Sequence, residues 1–112
     1  MTLLSKDLIL NSNDLPSDIV EVPQWGGSVK VRGMTAGERD RFEDMIRTKG
    51  LGALRATLAA MCIIDEDGKR LFTDIEVNKL GDKSAEALDL VVEVASRLSG
   101  LTPEDADFLE NS

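Results

Sequence analysis

The spacing of apolar positions changes several times along the chain, and each change marks an element. From Ile19 the period is two: Val20 and Val22 stand on one side of Gly26-Gly27, Val29 and Val31 on the other. Alternation broken by a glycine pair predicts a β-hairpin turning at Gly26-Gly27. Pro23 has no backbone N–H for a ladder, so the hairpin belongs at a sheet edge. Two strands alone are marginal in water, and the valine face is expected to lie against helices. After Thr35 the period becomes helical. Thr35-Ala-Gly-Glu38 has capping-box spacing, in which the threonine oxygen takes the third helical amide while the glutamate reaches back to the cap. The spacing predicts a helix to about Lys49 with a narrow stripe of Phe42, Met45 and Ile46, placed on the surface and stopped by Gly50. Arg39 with Glu43, and Glu43 with Arg47, stand four apart, as ion pairs along a helix require.

From Leu51 a run with one charge, Arg55, extends to Ile64, and Leu51, Leu54, Leu58 and Met61 recur at helical spacing. A helix over 51–64, buried on most sides, is predicted. Asp65-Glu-Asp-Gly-Lys-Arg70 reads as a polar turn on Asp67-Gly68 that returns Leu71 and Phe72 to the core. Thr73-Asp-Ile-Glu76 is a second capping box, opening a short helix to Gly81. Ser84 caps a further helix to about Ser99, with Gly100 as its stop. Glu86, Asp89, Glu93, Ser96 and Arg97 form one polar stripe on it, and Leu90, Val91, Val94, Ala95 and Leu98 are among its apolar remainder. At the ends of the chain, Ser5-Lys-Asp-Leu-Ile-Leu10 offers one capped helical turn before Asn11-Ser-Asn-Asp14 and Pro16. Thr102-Pro-Glu-Asp105 starts a short acidic helix through Ala106, Phe108 and Leu109.

These elements amount to a mainly α fold, a small helical domain with an N-terminal β-hairpin. The domain spans residues 19–101, preceded by a partly ordered segment, 1–18, and followed by an acidic helix or tail, 102–112. There is no internal repeat or low-complexity linker. At 112 residues the chain suits one domain that buries roughly two thirds of its unfolded surface. Two helices that are apolar around most of their circumference exceed what one such core easily covers, which suggests self-association or a groove for a partner.

Charge narrows the class. Thirteen Lys+Arg against twenty-one Asp+Glu leave a net charge of -8, whereas a duplex-binding protein needs a dense basic face. Nucleic acid is not an expected partner. Residues 51–112 carry thirteen acids and six bases, while residues 29–49 hold six bases and four acids. A head-to-tail contact between copies would bring Arg39, Arg41 and Arg47 against the acidic half. No basic stretch followed by an apolar run opens the sequence, and no apolar run approaches ~20 residues. A soluble cytoplasmic protein without a membrane partner is expected.

Catalytic chemistry finds little support in the residues. The chain has no histidine and one cysteine, Cys62, set in Leu58-Ala-Ala-Met-Cys-Ile-Ile64, where a thiol packs as a small hydrophobe. Aligning Gly68 with the glycine of a calcium loop puts Ile63 at the first ligand position, so residues 65–70 read as a solvated turn. The glycines at 26–27 and 50–52 lack the lysine and the strand-to-helix setting of a phosphate loop. No carboxylate pair stands isolated in an apolar setting, as acid and base work requires. No enzyme activity, cofactor, metal or small-molecule substrate is expected.

Binding is the remaining class. The candidates for contact with a partner or another copy are Trp25, Arg39, Arg41, Arg47, Leu51, Leu54, Leu58, Leu90, Val94 and Phe108. Leu51, Leu54 and Leu58 would line a groove from one apolar helix, Leu90 and Val94 from the other. Trp25, at a hairpin tip, either caps the core or anchors a partner.

The order of four segments resembles the tail assembly chaperones of long-tailed bacteriophages and prophages. These are Glu21-Val-Pro-Gln-Trp-Gly-Gly-Ser-Val-Lys-Val-Arg32, Thr35-Ala-Gly-Glu-Arg-Asp40, Ile64-Asp-Glu-Asp-Gly-Lys-Arg-Leu-Phe-Thr-Asp74 and the helix from Leu80-Gly81 to Leu101. The resemblance covers about residues 19–101, and 102–112 match little of the pattern. It implies a multimeric factor of the host cytoplasm, absent from the mature virion, that coats and solubilises the tape measure protein and helps recruit tail tube protein. It also implies two product lengths through a ribosomal frameshift, with this chain as the shorter. The alternatives are a virion structural protein, such as a head-to-tail connector subunit, and an acidic inhibitor that mimics DNA. Charges of both signs interleave on the helices, which disfavours the mimic.

Overall fold

In a computed structural model, residues 2–101 are described. Five helices and three strands follow in the order α1 (Lys6–Leu10), β1 (Ser17–Val22), β2 (Gly27–Arg32), α2 (Ala36–Lys49), α3 (Leu54–Cys62), β3 (Ile63–Ile64), α4 (Val77–Gly81) and α5 (Ala85–Leu98). The mainly α expectation holds, and the hairpin is the start of a three-stranded antiparallel sheet ordered β1-β2-β3.

β1 and β2 pair with Val20 opposite Val29 and Val22 opposite Gly27. Gly27 is thus already a ladder residue, and the turn lies one residue earlier than the glycine pair predicts. Pro23–Trp25 forms a 3-10 turn closed by the Gly26 N–H donating to Pro23 O at 3.0 Å. Gly26 has φ 73, a left-handed conformation that costs a Cβ-free residue little. Proline at the first position of this turn leaves no amide unsatisfied.

Side chains alternate across the sheet, so Val20, Val22 and Val31 bury one face while Ile19, Glu21 and Ser28 stay exposed on the other. α5 covers the valine face, and α3 packs beside it. From Ala56 to Cys62 every residue of α3 is buried, the condition of a helix that is apolar all round. α2 adds Phe42 and Ile46 to this core, and α4 adds Val77 and Leu80. The capped ends form as the spacing predicts. Thr35 and Thr73 open capping boxes, Ser84 Oγ accepts from the Ala87 N–H at 3.3 Å, and Ser5 Oγ accepts from the Leu8 N–H at 3.2 Å.

The predicted helix over 51–64 is corrected at both ends. It begins with a 3-10 turn at Leu51–Ala53, and it stops at Cys62 because Ile63 adopts φ -73 and ψ 126 and pairs with Val31 of β2. An apolar doublet has no period of its own, and two β-branched residues serve a strand as well as a helix end. The polar turn then brings Arg70 back to bridge Ile64. Phe72 packs on the core as expected, but Leu71 lies on the open face of the sheet, 52% exposed.

Inside α3, Thr57 is fully buried and its Oγ1 has no hydrogen-bond partner. An unmet hydroxyl in an apolar core costs more than its isosteric methyl. Thr57→Val should therefore raise stability by about 1 kcal/mol, visible as a higher thermal midpoint; an unchanged or lower midpoint would show that the hydroxyl is satisfied in solution.

Candidate partner-binding surface

The structure separates the predicted contact residues into several settings. Leu58 is 1% exposed and belongs to the core, and Leu54 packs against that core half-buried. The groove expected from residues 51–64 is therefore absent among the described residues, because that helix is the centre of the fold. Leu51 lies in the 3-10 turn that precedes it. Phe108 falls outside the described residues. On α5, Ala87, Leu88, Val91 and Ala95 are buried, while Leu90 and Val94, one turn apart, lie half-buried along one flank of that face. Trp25 is half-buried at the hairpin tip and packs against the core, in a turn that touches α5. Its side chain covers part of the core and leaves the rest of its surface open.

Part of the basic face is engaged within the chain. Arg39 pairs with Glu43 at 3.4 Å along α2, as predicted. Arg41 reaches Asp74 at 3.9 Å, and Arg70 meets the same carboxylate at 2.8 Å while its Nε donates to Ala60 O. These contacts tie α2 and the end of α3 to the segment ahead of α4. Arg47 is exposed.

Arg32 is the most constrained of the bases. Its guanidinium grips Glu38 with two bonds of 2.7 and 3.0 Å, and the two side chains are 13% and 8% exposed. Glu38 Oε1 also accepts from the Thr35 N–H at 2.9 Å, so the capping box and the ion pair share one carboxylate. Burial pulls this carboxyl upward, but the bonds from Arg32 and Thr35 outweigh it and leave it below the ordinary glutamate value. The bond to Glu38 raises the Arg32 guanidinium against the opposing effect of its own burial. The pair joins the end of β2 to the start of α2, and between them Gly33 and Met34 meet the C-terminal end of α5: Met34 N–H donates to Ser99 Oγ at 3.0 Å.

Sequence reasoning passed over two apolar surfaces. One is the N-terminal arm, where Leu3, Leu4, Leu8, Ile9 and Leu10 are all 55–89% exposed and α1 buries nothing. The other is the outward face of the sheet, where Ile19, Ile64 and Leu71 border a depression of about 350 Å³. The signal for the second was in the alternation itself: Ile19 is apolar but out of phase with Val20 and Val22.

Reactive groups are scarce in this setting. Cys62 is fully buried, and burial pushes its thiol up to about 11, leaving almost no thiolate at neutral pH. The polar turn spends its first carboxylate on itself, Asp65 Oδ1 accepting from the Asp67 and Lys69 N–H groups at 2.8 and 3.0 Å. Among the described residues no group of three His, Cys, Asp or Glu side chains is placed to hold a metal ion. No described helix is long and apolar enough to cross a membrane. What the surface offers is shape, apolar patches and charge.

No protein-family profile and no curated protein matches the sequence. Solved structures do: the tail assembly chaperone of bacteriophage HK97 superposes with a TM-score of 0.66 over 83% of this chain and 90% of that one, at 19% sequence identity. The chain therefore shares the fold of the HK97 tail assembly chaperone.

Proposed function

We propose that this chain is a phage tail assembly chaperone that binds and solubilises a tape measure protein in the host cytoplasm and helps bring tail tube subunits to it, without becoming part of the virion. The observation that carries this reading is the common fold over most of both chains. The character of the surface is compatible with it. A long helical client exposes apolar side chains before a tube encloses it, and a binder for it needs apolar ground within a charged exterior. The half-buried Leu90 and Val94 flank of α5 and the open side of Trp25 supply such ground, and the net charge of -8 keeps a coated client dispersed.

Co-expression tests this reading. On this reading a very long, helix-rich protein is encoded beside this chain, and it should be mostly insoluble alone and mostly soluble, and co-purifying, when this chain is present. Equal solubility with and without it would end the chaperone reading. Recovery of the chain in purified particles would favour a structural subunit instead.

A further inference from the structure

The two edges of the sheet differ. Beyond β3 the returning turn covers the backbone: the Leu71 N–H donates to Ile63 O at 3.1 Å, the Asp65 N–H donates to Lys69 O at 2.8 Å, and Arg70 bridges Ile64. Among the described residues no strand pairs with the far side of β1. The bond from the Gly33 N–H to Pro16 O sets the phase of the β1–β2 ladder. In that phase Asp18, Val20 and Val22 turn their peptide groups toward β2, and Ser17, Ile19 and Glu21 turn theirs away from it. All three of these outward residues are exposed. Such a row of peptide groups is a template on which another extended chain can pair.

Three features interrupt the row. Pro16 and Pro23 stand on either side of β1 and have no N–H to offer. The third lies at the middle, where the Ile19 N–H donates to Asp18 Oδ1 at 2.8 Å. By alternation Asp18 is on the valine face, and there Arg97 of α5 holds its other oxygen, Oδ2, at 3.3 Å. A carboxylate fixed from behind by the helix is thus turned over the edge of its own strand. We infer that Asp18 closes this edge against strand addition: it occupies the central outward donor of β1, and it sets a negative charge where the carbonyl oxygen of an incoming strand would have to come. What it excludes is an extended peptide, from another copy or from an unfolded chain. Partners that bind through side chains, on the α5 flank or at Trp25, are unaffected. The inference does not rest on the proposed function, because it is read on the purified chain alone.

Residue-resolved amide hydrogen exchange on the full chain tests the contact, and association of its variants tests the role. Corrected for intrinsic rates, the Ile19 amide should exchange about tenfold more slowly than those of Ser17 and Glu21, the scale of one hydrogen bond. Asp18→Ala should remove that difference. It should also begin to associate at about tenfold lower concentration than the unsubstituted chain, with the infrared band of intermolecular β pairing. Arg97→Ala is the control: it removes an exposed ion pair worth little to stability but leaves the Ile19 N–H on Asp18, and should match the unsubstituted chain in both measurements. Asp18→Asn keeps an acceptor and should retain most of the Ile19 protection. If Asp18→Ala lowers the thermal midpoint, Asp18→Val, which suits a strand and still lacks an acceptor, takes its place. Equal exchange at Ser17, Ile19 and Glu21 in the unsubstituted chain would overturn the inference, as would an acceptor-free variant that associates no more than the unsubstituted chain. So would a gain for Arg97→Ala equal to that of Asp18→Ala, since the effect would then belong to the ion pair.

Discussion

Gly33→Ala is expected to destabilise the fold by about 3 kcal/mol, the upper end of what overpacking costs, read as a lowered urea midpoint at unchanged slope. A Cβ at this position would stand 2.5 Å from Leu98 O and 3.0 Å from the carbonyl carbon behind it. Both are backbone atoms at the end of α5, so no side-chain rotamer relieves the contact. The segment cannot retreat either. The Gly33 N–H donates to Pro16 O at 2.9 Å, and the next N–H, that of Met34, is held by Ser99. Separating β2 from α5 would break the Met34–Ser99 bond and open the valine face. Gly37→Ala is the control: its added Cβ meets nothing within 4 Å, and a helical Gly→Ala change stabilises by about 0.5–1 kcal/mol. Equal midpoints for the two variants would show that the close approach is not maintained in solution.

Glu38→Ala should cost about 3 kcal/mol, because it strands the buried Arg32 guanidinium and removes half of the α2 capping box. Glu38→Gln keeps an oxygen for the Thr35 N–H and should cost about half as much. Adding Arg32→Met to Glu38→Ala should restore part of the loss, since the unpaired buried charge is then gone. A double variant no more stable than Glu38→Ala would place the cost in the cap alone. The pair also sets a pH dependence. The Glu38 carboxyl lies below its ordinary value in the fold, so the unfolded chain binds its proton at higher pH than the folded one. The stabilisation is complete above the ordinary glutamate range and is lost as pH falls through the lowered folded value. Acid titration of stability should be shallower for Glu38→Gln in that window, and an identical profile would remove Glu38 from the acid response.

Local signals in the sequence accounted for most elements, and where they failed the reason can be named. Capping boxes at Thr35 and Thr73 and the Ser84 cap act within four residues, so their spacing is enough to place helix starts. Alternation at Val20, Val22, Val29 and Val31 depends only on the pleat, and the hairpin followed from it. The third strand did not. Ile63 and Ile64 become β3 because β2 lies beside them, a fact about residues thirty positions away that no local period encodes. The candidate contacts divide in the same way. Leu54 and Leu58 were candidates for a groove on a helix also expected to be buried on most sides, because an apolar helix looks alike whether it is core or interface, and only the packing of α2, α4 and α5 around α3 buries Leu58 and half-buries Leu54. Arg41 was placed with Arg39 and Arg47 on a basic face, and its contact with Asp74, which is distant in sequence, comes only with the fold, at 3.9 Å. The pairing of Arg32 with Glu38, six residues apart, was not read from the sequence, since the spacing crosses from a strand into a helix.

The opening hairpin, the capped and charged α2, the amphipathic α5, the acidic balance and the absence of histidine were determined by the sequence itself. Each depends on neighbours a few residues apart or on composition alone. Tertiary structure decided which apolar surfaces remain open. Burial is a property of the assembled layers: α3 disappears into the core once α2, α4 and α5 surround it, the close approach at Gly33 exists only where β2 meets the end of α5, and Ile19 and Leu71 face outward because no helix among the described residues covers that side of the sheet.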